Sequence, residues 1–189
     1  MFLGGVLLLS GETLLTQKSL ERKTIRLHVI ANSDSVEDQE QKLRLRDRVL
    51  EKVHAITMDC TNFDEAERAL LMNLEELETY AHGVMLEEGS SYDVSISLCR
   101  EHYSTRNYDT FSLPPGNYRS LKVIIGEGKG KNWWCVVFPT LCNASSMDDF
   151  QQAATIAGYD QEDIALIQKE TPKYKIRFKV LEMITELFH

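Results

Sequence analysis

Residues 121–142, LKVIIGEGKGKNWWCVVFPTLC, constrain this chain more than any other stretch. They read as strand, tight glycine turn, strand, and a corner that ends in cysteine. Residues 122–125 are largely apolar and β-branched, and residues 132–138 are almost wholly aromatic or β-branched, as strands prefer. Gly126, Gly128 and Gly130 between them permit the positive φ values of a reversing chain, so the expectation is a central hairpin. Alternation puts Trp133, Cys135 and Val137 on one face, and Trp134, Val136 and Phe138 on the other. Both faces are apolar. The second strand therefore needs cover on both sides, or on one side plus a partner.

The chain has 189 residues, enough for one domain with a sizeable core. Its formal net charge of -8 argues against a nucleic-acid partner, which would select a basic face, and gives no reason to expect adhesion to anionic lipid. Residues 1–9 form an apolar run too short to span a bilayer, which takes about 20 residues. Its length suits the apolar part of an export signal, although no Lys or Arg precedes Lys18. The run reads either as the remnant of such a signal or as a core strand or helix of the fold; on the first reading residues 1–23 are set apart as a truncated signal-like or anchor-like segment and linker. Residues 24–189 are read as one domain.

Along that domain, residues 25–31 read as a first strand with Ile25, Leu27 and Val29 on one face and Arg26, His28 and Ile30 on the other. Asn32, Ser33, Asp34 and Ser35 are capping residues for a helix over about 36–58, striped by Leu45, Val49, Val53 and Ile56. A second long helix is expected over about 64–88. Residues 92–100 alternate as a half-buried antiparallel strand, and residues 108–113 allow another. Ser145 or Ser146 can cap a further helix. Pro172 opens a last one, with Tyr174, Phe178, Leu181, Ile184 and Phe188 as its apolar stripe. The expected fold is α+β: an antiparallel sheet of about four to five strands, covered by the two long helices after strand 1 and by the C-terminal helix.

Four cysteines, Cys60, Cys99, Cys135 and Cys142, include no CxxC pair, so a zinc ribbon or thioredoxin-type motif is not indicated. Cys135 and Cys142 are close enough to bridge in an exported chain; two buried apolar thiols is the other reading. No metal or cofactor site is visible. Gly126 to Gly130 lacks the spacing and following helix of a phosphate loop.

Three blocks carry a family likeness. They are LHVIANSDS at residues 27–35 with Asp38, Gln39, Lys42, Leu43, Arg46 and Asp47; then Tyr103, Thr105, Arg106, Tyr108, Leu113, Pro114, Gly116 and Tyr118; then the run from Ile125 through NWWC to Cys142. Together they resemble stage II sporulation protein R of endospore-forming bacteria, over about residues 25–142. The resemblance implies a signalling protein and no enzyme. Such proteins are exported from the forespore into the intermembrane space. There they activate a membrane-embedded aspartic protease of the mother cell, which processes the sigma-E precursor. The implied partner is the extracellular region of that protease. Contact with the membrane is expected only through the N-terminal export segment.

Several residues are candidates for the partner surface. His28, Asn32, Ser33 and Asp34, with Arg46 and Asp47, read either as a part-buried histidine beside a helix cap or as one polar patch. Trp133 and Trp134 point to opposite faces, so one can anchor the core and the other a partner, with Asn132, Tyr103, Arg106 and Tyr108 of suitable chemistry beside them. No catalytic residue is expected. The alternatives are a thiol hydrolase in which His28 activates Cys135, and a structural component of the sporulation septum.

Overall fold

Two strands that the sequence joins by a glycine loop are not neighbours in space. A computed structural model describes residues 14–141 and 146–168. Its sheet has four strands: β1 (Ile25–Ile30), β2 (Val94–Tyr103), β5 (Gly116–Ile125) and β6 (Asn132–Phe138), in the order β2-β5-β1-β6. A separate ribbon pairs β3 (Arg106–Asn107) with β4 (Ser112–Leu113). The expected central hairpin is therefore corrected. β1 lies between β5 and β6, parallel to the first and antiparallel to the second. The sheet is mixed, not antiparallel. Its one parallel pair arises because the chain leaves β1 through helices and returns by way of β2, which runs antiparallel to β5.

One face of the sheet carries the helices α2 (Val36–Thr57), α3 (Phe63–Met72) and α4 (Leu74–Glu87). Ser35 caps α2, its hydroxyl accepting from the Asp38 N–H at 3.1 Å. Leu45, Val49 and Val53 bring the apolar stripe of α2 onto Ile25, Leu27, Val29, Leu121 and Val123 in one core. The single helix expected over 64–88 is two. Asn73 breaks it, because its side-chain amide donates to the Ala69 carbonyl at 2.7 Å and draws its own backbone out of helical register, at φ -109° and ψ 10°.

The other face is covered over half its length. Residues 14–23 form a helix, α1; with the ribbon, α5 (Met147–Ile156) and α6 (Gln161–Ile167) it builds a second core around Tyr118, Phe111, Phe150 and Val136. Residues 14–23 were set apart with the signal-like run, yet Leu20 is fully buried, which contributes roughly 2 kcal/mol. Gln17 donates to the Pro115 carbonyl at 2.6 Å, and Lys23 pairs with the buried Asp163 at 2.5 Å. α1 thus belongs to the fold because its inward face is matched to the ribbon and to α6. No helix among the described residues is long and apolar enough to cross a membrane. The helix expected after Pro172 and the residues before Leu14 lie outside the described residues, as does Cys142.

Candidate functional site

The loop from β5 to β6 passes over the end of β1 just where the chain leaves for α2, and this crossing explains two of the sequence blocks. The loop backbone is laced to residues 31–34. The Lys129 and Gly130 N–H groups donate to the carbonyls of Asn32 (3.0 Å) and Ala31 (2.9 Å). The Glu127 N–H donates to Asn32 Oδ1 (3.0 Å) and the Lys131 N–H to Asp34 Oδ1 (2.7 Å). Asn32 Nδ2 and Ser33 Oγ both donate to Asp38, and these bonds, Ser33's first, hold that carboxyl below its usual range. Asn32, Ser33 and Asp34 are thus engaged within the fold, as the brace of a crossing loop.

The two tryptophans separate as alternation requires. Trp133 lies on the helix side, with the Arg46 guanidinium 4.7 Å from its ring centroid and Asp47 paired to Arg46 at 2.7 Å. Trp134 lies on the opposite face. It stacks with the His28 ring at 5.6 Å between centroids, and Arg106 sits over it at 3.6 Å. His28 Nδ1 is 3.2 Å from both Glu101 oxygens, which only accept, so Nδ1–H donates; Nε2 is 2.9 Å from the Asn132 amide oxygen. Lys122 pairs with Glu101 at 2.9 Å, and the Tyr103 hydroxyl reaches Glu101 at 3.2 Å and Ser120 at 2.7 Å.

Beneath Tyr103 is Arg26, fully buried. Its guanidinium stacks 3.8 Å from the Tyr103 centroid and 5.1 Å from that of Tyr118, and Nη2 donates to the Tyr108 hydroxyl at 2.7 Å. Burial follows a gradient along this face. Arg26, Ser120, Val136 and Tyr103 are buried, His28, Lys122, Trp134 and Glu101 are half-buried, and Asn132, Ser95 and Ser97 are exposed. Among the described residues the second layer stops at the level of Arg26 and leaves Trp134 half-buried.

Of the candidate residues, the fold brings together His28, Tyr103, Arg106, Tyr108, Asn132 and Trp134. It puts Arg46, Asp47 and Trp133 on the other side of the sheet. Sequence reasoning missed Glu101, Lys122 and Arg26; the alternation of their strands with His28 was the available signal. The pairing of Cys135 with His28 does not form. Cys135 is 3% exposed, is held in a disulfide, and pairs in register with Leu27, one position from His28 and on the other face. Cys60 and Cys99 are free, and burial pushes both thiols up. Among the described residues no group of three or more His, Cys, Asp or Glu side chains is placed to hold a metal.

Glu101 is the electrostatic centre. Burial alone would push its carboxyl up, but hydrogen bonds from Ser120 and Lys122 and the charge of His28 overcome this and bring it down to about 2. A depressed carboxyl stabilises the fold above its ordinary value of 4.5, and that contribution disappears as pH falls from there toward 2. Solvent screening at this half-buried site leaves about 1–2 kcal/mol of it at neutral pH. Urea denaturation at pH 7 and pH 3 should show this loss in the native protein and much less of it in Glu101→Gln. Equal acid sensitivity in the two would place the titrating group elsewhere.

The fold is thus an α+β domain with a mixed sheet, one face of which is lined by aromatic and paired charged side chains. The family model described as stage II sporulation protein R matches residues 21–148. The stage II sporulation protein R of Bacillus subtilis (strain 168) is 34% identical over 163 residues, which cover 86% of this chain and 67% of that protein. No solved structure matches the chain. The chain belongs to the stage II sporulation protein R family, and its role is in sporulation.

Proposed function

We propose that this chain is a contact signal. Exported from the forespore into the intermembrane space, it engages the extracellular region of the mother cell's membrane-embedded aspartic protease and switches it on toward the sigma-E precursor. Family membership supports the sporulation setting. The observation that carries the contact mechanism is the half-open Trp134 face. A large aromatic is held there by His28 and Arg106 on a rigid sheet, as binding hot spots are. Among the described residues around it, Glu101 is tied to Lys122, His28 and Tyr103, and burial pushes the Cys99 thiol up. Such an arrangement presents shape and charge to another protein.

The test is to produce the full chain with the protease and the sigma-E precursor in a non-sporulating host, and to follow the ratio of mature to precursor protein. Cleavage should require the chain. Trp134→Ala should lower it by about tenfold or more, the usual cost of an aromatic anchor, with its circular dichroism spectrum unchanged. Cleavage that proceeds equally without the chain, or a fully active Trp134→Ala variant, would overturn the proposal. A scaffold of the septum would bind the protease's extracellular region without raising cleavage.

A further inference from the structure

The charge around Trp134 runs against that of the molecule. The chain carries a formal net charge of -8, yet on this face Arg106 lies over Trp134 and Lys122 beside Glu101, with Arg26 buried beneath them. Lys122 and Glu101 neutralise one another. Arg26 and Arg106 have no carboxylate partner among the described residues: Arg26 leaves Nε and Nη1 buried without a protein acceptor, and Arg106 leaves its Nε in the same state. An arginine seldom gives up water without gaining an acceptor, because a buried unpaired donor costs on the order of 1–3 kcal/mol. Arg106 moreover has its Cζ 3.6 Å from the Trp134 ring centroid, a contact that restrains its fork instead of leaving it to sweep through solvent.

We propose that the open half of the sheet face binds an acidic, extended segment of the partner protein, with a carboxylate seated on the Arg106 guanidinium above Trp134. This rests on the contact-signal reading and names the chemistry of what is contacted. A planar guanidinium held on an aromatic ring matches a carboxylate through two parallel N–H donors, a recognition that lysine cannot reproduce. The unneutralised charge of Arg106 would also make binding of an acidic segment weaken with salt.

The experiment is a nuclear magnetic resonance titration of the full chain with a ten-residue Glu/Ser peptide and its Gln/Ser counterpart, together with binding of the protease's extracellular region. The Glu/Ser peptide should shift the Trp134 indole N–H and the Arg106 Nε–H, compete with the protease region, and lose hold as salt rises. The Gln/Ser peptide should do none of these. Arg106→Gln should weaken both ligands by about tenfold or more, and Arg106→Lys should recover only part of that. If the peptide binds at Trp134 but the protease region does not bind, the acidic-segment inference stands and the activation reading falls. If the protease region binds native and Arg106→Gln protein equally, the inference falls and the activation reading stands. Equal shifts with the two peptides, or the same shifts produced only by phosphatidylglycerol vesicles, would also overturn it.

Discussion

Gly130→Ala should cost about 3 kcal/mol and lower Tm by about 10 °C, although it adds one methyl group at a loop. A Cβ at Gly130 would drive into the carbonyl of Ser33 and the Cβ of Ala31. The first obstacle is backbone, so no side chain can swing aside to relieve it. The loop must lift instead. Lifting breaks the bonds from Gly130 N–H to Ala31, from Lys129 N–H to Asn32 and from Lys131 N–H to Asp34, each worth about 1 kcal/mol. Gly83→Ala is the control of opposite sign. Gly83 sits inside α4 with open space where a Cβ would go, so alanine should stabilise by about 1 kcal/mol through helix propensity. Thermal melts of the two variants beside the native protein check both signs. A Gly130→Ala protein as stable as the native one would show that the loop does not press on the end of β1.

The same crossing shows what could and could not be read from residues alone. Periodicity placed β1, α2, β2 and β6 within a few residues of their ends, because each carries a clear apolar repeat and a capping or turn residue. Pairing was another matter. A glycine loop between two apolar strands is the local signature of a hairpin, and nothing local to residues 121–138 says that β1 will insert between them. That information lies in the match between two distant blocks: side chains at Asn32 and Asp34 that accept hydrogen bonds, and glycines at 126 and 130 that admit them. The candidate site divides the same way. Strand alternation sent Trp133 and Trp134 to opposite faces. It could not show that Glu101 and Lys122, on β2 and β5, lie beside His28, since strand order decides that contact.

Arg26 gives the other large effect, and the sign of two substitutions separates what it does. Arg26→Ala should cost about 4 kcal/mol, because it empties a large, fully buried volume between the sheet and the second layer. Arg26→Met should come within about 1 kcal/mol of the native protein, or be more stable. The reason is a near balance. Stacking on Tyr103 and Tyr118 and the bond to Tyr108 favour the cation by a few kcal/mol. Desolvating an unpaired guanidinium with two donors lacking protein acceptors opposes it by a similar amount. Methionine keeps much of the volume and removes the charge. Urea denaturation of the two variants at pH 7 decides the matter: if methionine is as damaging as alanine, the cation holds the fold and its favourable contacts outweigh its desolvation. If methionine is tolerated and the chain-dependent cleavage proposed above nevertheless falls, a charge that stability does not require acts through the face above it. The route is on the same strands, from Arg26 against Tyr103, through the Tyr103 hydroxyl to Glu101, and from Glu101 to the His28 ring that backs Trp134.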